Sequence, residues 1–322
     1  MNSKFGYSRR RLLGASAAAL AFAPSVLQAG ESAGALADSA TPEPETIHGD
    51  AERDHRMTVA ALINGKGPFR FLVDTGADRS VLAADVAQQL GLLGGEDVVV
   101  QGISRSIPAT TALLHSIKVG SIELSDIAVP VLSREWLGAD GYLGLDILDR
   151  RRVTFDFRYQ TLTIDRSNQI HGFEISRDLI VRVRGSNGRL TAYDCRVDDV
   201  PAAAFIDSGA QVTIGNSLLF AELAKRGATY VSDRVVPVTD VTGGISPGRI
   251  TSFSTIRLGA ITFVRANLLI SDLEVFNVWG LADRPALFIG MNFLGQTSAF
   301  SIDFGRKELL FKLADERVAR SI

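Results

Sequence analysis

The chain has 322 residues, 46% apolar and 22% charged, with a formal net charge of −2. This is the composition of a globular protein large enough for one big domain or two lobes with separate cores. No basic stripe is present to neutralise phosphates, so a nucleic-acid partner has no electrostatic support.

Residues 1–29 read as a signal peptide. Lys4, Arg9, Arg10 and Arg11 make a basic start, an Ala-rich apolar stretch follows, and Leu27-Gln28-Ala29 supplies a small-residue cleavage site. Ser8-Arg9-Arg10-Arg11-Leu12-Leu13 resembles the twin-arginine export signal of bacteria. A retained membrane anchor is the competing reading; Pro24 and the weak hydrophobicity of the alanines count against it. No cysteine follows the apolar stretch, which argues against a lipid anchor. The expectation is a periplasmic or secreted protein with no stable membrane insertion after cleavage. Cleavage takes four positive charges and no acid from −2, leaving −6. Cys195 is the single cysteine, so no intramolecular disulfide forms, and its strand-like surroundings predict a buried, inert thiol.

Residues 30–56 lack apolar periodicity and read as a flexible leader. From residue 57 the pattern is short β-rich runs broken by Gly, Pro, Asn and Asp. The chain then repeats itself. TVAALINGKGPFRFLVDTGA (58–77) lies over TAYDCRVDDVPAAAFIDSGA (191–210) without a gap, and SIKVGSIELSDIAVPVL (116–132) answers TIRLGAITFVRANLLI (255–270). YLGLDILDRRRVTFDF (142–157) answers FIGMNFLGQTSAFSIDF (288–304). Three blocks in the same order define two lobes, 57–166 and 178–314, joined by a linker at 167–177 and followed by a tail at 315–322. Each lobe carries a helical patch after its acidic turn, 82–92 and 216–227, and one further helical turn is expected after Gly144 and after Gly290.

One Asp-Ser/Thr-Gly is a weak signal, since a polar turn capped by Asp with Gly at positive φ looks the same. Here there are two, Asp74-Thr75-Gly76 and Asp207-Ser208-Gly209. Each follows an apolar strand, precedes Ala, and has an apolar residue with Gly downstream (Leu143-Gly144, Ile289-Gly290). Asp74-Thr75-Gly76-Ala77-Asp78-Arg79-Ser80-Val81-Leu82 resembles the active-site turn of retropepsin-like aspartic proteases. Gly144-Leu145-Asp146-Ile147-Leu148 and Gly290-Met291-Asn292-Phe293-Leu294 resemble that family's second signature.

The resemblance implies an all-β fold with short helices: two pseudo-symmetric retropepsin-like β-barrel lobes facing each other across a cleft. It implies Asp74 and Asp207 as the catalytic pair, one carboxylate from each lobe, with Thr75 and Ser208 locking the two turns together. Gly76 and Gly209 let the backbone turn tightly near the substrate. Two carboxylates about 3 Å apart share a proton, so one serves as base toward a water and the other as acid toward the substrate carbonyl. No cofactor and no metal are required.

Two hairpins, 98–111 and 237–250, are the candidates to close over the substrate, through Gly102, Ile103, Gly243, Gly244 and Ile245. Asp78 and Asp146 read as structural carboxylates, since Asn292 stands opposite Asp146 in the second lobe. Arg150-Arg151-Arg152 reads as the solvated start of a strand, and Trp136 and Trp279, in matching loops before each Gly motif, as aromatics packed under those loops, with walling of the cleft as the alternative. His48, His55, His115 and His171 are scattered without metal-ligand spacing. The function expected is an exported, single-chain aspartic endopeptidase acting on an extended peptide or protein segment. Two alternatives stay open: a catalytically silent peptide-binding module of the same fold, and lobes that pair between chains.

Overall fold

The computed structural model of the protein describes residues 46–48, 50–51, 57–92, 94–167, 178–184 and 190–313. The expected signal peptide, most of the leader, most of the linker at 167–177 and the tail at 315–322 lie outside the described residues.

Each lobe begins with a hairpin whose turn chemistry is local. Met57–Ile63 and Lys66–Val73 meet through Asn64-Gly65, both at positive φ (50° and 73°), the geometry that suits the right-handed twist of paired strands. The second lobe repeats this with Thr191–Val197 and Val200–Ile206 around Asp198-Asp199, at φ 42° and 64°. Two non-glycine residues in that region are strained. Arginine side chains hold the turn, Arg226 donating to the Asp198 carbonyl at 2.8 Å and Arg196 to the Asp199 carbonyl at 2.7 Å.

The first-lobe sheet has eight strands, and Met57–Ile63 also pairs with Ser106–Val119, so the sheet curls back on itself. The second-lobe sheet has seven, closed in the same way by Thr191–Val197 against Ile245–Leu258. Alternation along the first lobe's opening strand (Met57, Val59, Ala61 and Ile63 buried, Ala60 and Leu62 exposed) fills the barrel from one face. Short helices fall where the repeat placed them. Ala84–Leu90 closes on Gly91 in the left-handed conformation, and Ser217–Ala224 is capped by the Asn216 side chain accepting from the Leu219 N–H. Leu145–Leu148 and Met291–Leu294 are the single turns after Gly144 and Gly290. Cys195 is buried, and burial, with the charge of Asp194, pushes its thiol up to about 12.

A third sheet belongs to both lobes. Its order is Thr46–His48, Thr161–Arg166, Arg151–Asp156, Ala299–Asp303, Glu308–Lys312, Asp178–Arg182, all antiparallel, with the lobes meeting between Arg151–Asp156 and Ala299–Asp303. This corrects two expectations. The end of the leader is not loose: Thr46–His48 is the first lobe's counterpart of Asp178–Arg182, and Asp50–Ala51 adds an edge to the first-lobe sheet. The repeat offset of about 133 residues carries the start of the second lobe back to the mid-40s, ahead of the boundary set at 57. Arg152 is not solvated. It pairs across the lobe boundary with Asp303, their side chains 1% and 0% exposed, its Nε and an Nη donating to one carboxylate oxygen at 3.1 and 2.9 Å. Ser167 and the Arg306 N–H occupy the other oxygen.

Candidate active site

In both lobes an apolar strand runs under the cleft and ends at an aspartate. Val73 pairs in parallel with Leu143 and Ile206 with Ile289. The aspartate continues each ladder, Asp74 N–H donating to the Leu143 carbonyl at 3.0 Å and Asp207 N–H to the Ile289 carbonyl at 3.1 Å. The carboxylate then folds over its own turn. Asp74 Oδ1 accepts from the N–H groups of Gly76 (2.8 Å) and Ala77 (3.1 Å), and Asp207 Oδ1 from Gly209 (2.9 Å) and Ala210 (3.1 Å).

The glycines are required by the opposite lobe. A Cβ on Gly76 would sit 2.9 Å from Asp207 Oδ1, and one on Gly209 would sit 2.5 Å from Asp74 Oδ2. Only glycine lets the two carboxyl groups converge, each against the turn of the opposite lobe. Burial, first, and then the negative charge of Asp74 push the Asp207 carboxyl well above the usual carboxylate range, against the N–H groups of Gly209 and Ala210. The two members differ in exposure. Asp207 is 7% exposed, whereas Asp74 is half-buried.

Below the carboxylates the turns grip each other. Thr75 Oγ1 donates to the Ile206 carbonyl (3.2 Å) and accepts from the Ser208 N–H (3.0 Å). Ser208 Oγ donates to the Val73 carbonyl (2.8 Å) and accepts from the Thr75 N–H (3.1 Å). Four reciprocal bonds among buried groups fix one turn against the other. Outside this grip, Asp146 accepts from the N–H and hydroxyl of Ser80, whose Oγ in turn accepts from the Gly144 N–H at 3.0 Å. The Asn292 side chain accepts from the Thr213 hydroxyl at 2.8 Å, and that hydroxyl accepts from the Gly290 N–H at 3.0 Å. Asp146 and Asn292 thus clamp the strand that follows each acidic turn.

The cleft above the carboxylates has a volume of about 920 Å³. Asp74, Gly76, Asp207, Gly209, Gly102 and Ile103 line it, but Gly243, Gly244 and Ile245 do not. On that side the lining is Thr239, Asp240 and Val241. The second tip curls around the Asp240 carboxylate, which accepts from the N–H groups of Thr242 (2.8 Å) and Gly244 (2.9 Å) and from the Thr242 hydroxyl (2.6 Å). That curl leaves Ile245 70% exposed while Ile103 packs into the second lobe's apolar cluster. Burial alone would raise the Asp240 carboxyl, but bonds from Thr242, Ser104 and Gly244 outweigh it and hold it below the usual range.

Asp240 is the site residue that sequence reasoning passed over. Its signal was present in Asp240-Val241-Thr242-Gly243-Gly244, an aspartate placed to bond backbone N–H groups ahead of two glycines. Trp136 and Trp279 also line the cleft, which departs from their expected place under loops. Trp279 packs its ring 4.1 Å from that of Phe205, and Trp136 lies against Gly243 of the opposite lobe's hairpin.

Two barrel lobes, a shared sheet beneath them and paired aspartates between them define the acid-protease fold. The solved aspartic proteinase from Irpex lacteus has the same fold, with a TM-score of 0.55 over 87% of this chain and 100% of that one, at 14% identity. The aspartyl protease family model matches residues 59–147. The chain is 26% identical over 131 residues to DNA damage-inducible protein 1 of Phaeosphaeria nodorum, and 31% identical over 125 residues to the UBA domain-containing protein Mud1 of Schizosaccharomyces pombe. These matches take in 39% and 38% of this chain, and the chain spans 29% and 35% of the relatives' own lengths. The family match thus falls on the first lobe, and the likeness to the solved structure, at 14% identity, is one of fold.

Proposed function

We propose that the protein is an exported aspartic endopeptidase in which Asp74 and Asp207 act as one unit. The observation that carries this reading is the convergence of the two carboxyls, each lying against the glycine of the opposite lobe's acidic turn and each with its Oδ1 accepting from two backbone N–H groups. The dyad then holds one proton between two carboxyls and titrates as a pair. The ionised member takes a proton from a water between them. The oxygen of that water attacks the peptide carbonyl, and the protonated member gives its proton to the carbonyl oxygen. Proton transfer to the amide nitrogen then breaks the C–N bond, leaving a carboxylic acid and an amine.

The substrate is an extended peptide or protein segment, and the active species is one chain. The bonds from Thr75 and Ser208 join lobes of a single polypeptide, and covalent linkage gives intramolecular pairing an effective concentration in the millimolar range. Export is supported by the basic, Ala-rich residues 1–29, and the periplasm or the outside of the cell is the compartment proposed. Incubating the mature protein with a mixed peptide pool and mapping cuts by mass spectrometry tests the reading. Cuts that vanish in both Asp74→Asn and Asp207→Asn are expected; an intact pool at every pH would leave the silent peptide-binding module as the better description.

A further inference from the structure

The two hairpin tips do not stop short of each other above the cleft. They are bonded, and the bonds come from unlike residues. Asp240 Oδ1 is committed to its own tip, through Thr242 and Gly244. Asp240 Oδ2 reaches the other hairpin and accepts from the Ser104 N–H at 2.8 Å. In the opposite direction the Arg105 guanidinium donates to the Thr242 carbonyl at 2.6 Å. The fit is close on both sides: a Cβ on Gly102 would lie 2.6 Å from Asp240 Oδ2, and one on Gly244 would lie 3.0 Å from the Asp240 carboxylate and from Ser104 Cβ. Each tip also rests on the other lobe's short helix, Ile103 accepting from the Val275 N–H at 3.1 Å and Gly243 lying against Trp136.

We propose that Asp240 and Arg105 are positioning residues that form a latch between the two hairpin tips, which must release for an internal peptide segment to reach Asp74 and Asp207 and which re-forms over the bound chain. This deepens the endopeptidase reading and rests on it. A roofed cleft admits a free chain end by threading, but a bond inside a protein reaches the dyad only if the roof parts. The bonds are distributed for that purpose. Those made by Asp240 Oδ1 lie within one tip and survive opening, so the tip moves as a unit. The bonds made by Oδ2 and by Arg105 cross between tips and are the ones that break. Asp240→Asn keeps the shape but turns an amide N–H₂ toward one set of N–H donors, so it cannot satisfy both tips. Arg105→Met removes the second crossing bond from an exposed side chain and leaves the fold untouched.

The single cysteine is buried, so spin labels on Pro108→Cys and Ile245→Cys, both at exposed positions flanking the tips, report the distance between hairpins in the free protein. One narrow, short distance is expected in the otherwise unchanged chain. A broad distribution reaching longer distances is expected on adding Asp240→Asn or Arg105→Met, and no change on adding Ser104→Ala, because Ser104 contributes only its backbone N–H. A distribution that is already broad before those changes, or one that neither change alters, overturns the latch. Arg105→Met carries the test if Asp240→Asn fails to fold. A pepstatin-type inhibitor should associate about tenfold faster with both variants and also dissociate faster, the factor of one charge-assisted hydrogen bond. If the peptide pool stays intact while the label distances respond as stated, the bonded tips stand but their role in gating hydrolysis falls with the protease reading.

Discussion

The two lobes differ least on the pseudo-two-fold axis that relates them and most away from it. At the acidic turns, Thr75 and Ser208 exchange the same four bonds, donor for donor. At the hairpin tips, the shared Gly-Ile-Ser runs in opposite senses: Ile103 is folded into the neighbouring lobe and Ile245 points away from it. A contact on the pseudo-two-fold axis must satisfy itself from both sides, so a change in one copy has to be matched in the other. A contact off the axis has one partner only, and the two copies are free to divide the work, as Asp240 and Arg105 do.

The sharpest way to break that comparison is at the dyad. Asp74→Asn and Asp207→Asn should each lower turnover by roughly 10³-fold or more and the double variant little further, because groups acting as one unit are not additive. The raised Asp207 carboxyl binds its proton more tightly folded than unfolded. It therefore favours the folded state at low pH, and that stability is lost as pH rises from the ordinary carboxylate range through the raised value. Asp207→Asn should accordingly raise the melting temperature at neutral pH and flatten its fall with pH. Turnover should decline over the same rise in pH, read as the alkaline limb of a pH–rate profile.

The shared sheet gives the next largest effect. Asp303→Ala strands Arg152 in a buried site, and a cost of about 3–5 kcal/mol is expected in denaturant unfolding. Arg152→Met with Asp303→Leu should recover most of it, since an apolar pair of similar volume needs no desolvated charge. Full activity and unchanged stability in Asp303→Ala would show that the lobes do not depend on this pair.

The turn grip is expected to be even-handed. Thr75→Val and Ser208→Ala each leave buried backbone groups without partners, at about 1–3 kcal/mol apiece, measured as the shift in unfolding midpoint. A large inequality between them would mean that one lobe carries the interface. The smallest effect should separate the two clamps. Asp146→Asn weakens the bonds from Ser80, at about 1 kcal/mol, whereas Asn292→Asp keeps its one acceptor and should cost less.

Much of this was legible before any coordinates. Strand alternation, the strand–turn–strand units that lead to each acidic turn, and the helical patches after them follow from patterns carried within some twenty residues and then repeated, while the meeting of Asp74 with Asp207 was implied by the resemblance to a family. The repeat also held information that the lobe boundary at 57 ignored. The strand Thr46–His48 has its copy in Asp178–Arg182, but three residues in a polar, Pro- and Glu-rich stretch are too few to show a period by themselves.

The amino-acid sequence alone determined the strand-to-aspartate turns, the duplication and the two-lobed fold, because turn chemistry and side-chain period are local properties of a chain. Tertiary structure decided which charges are buried, which face each hairpin tip presents, and that Asp240 answers Ser104 while Arg105 answers Thr242. Arg152 and Asp303 lie 151 residues apart, and the flap partners 136 and 137 apart. Their meeting depends on how two finished lobes dock, and that docking is set by the summed burial and hydrogen bonding of whole surfaces, which no local spacing encodes.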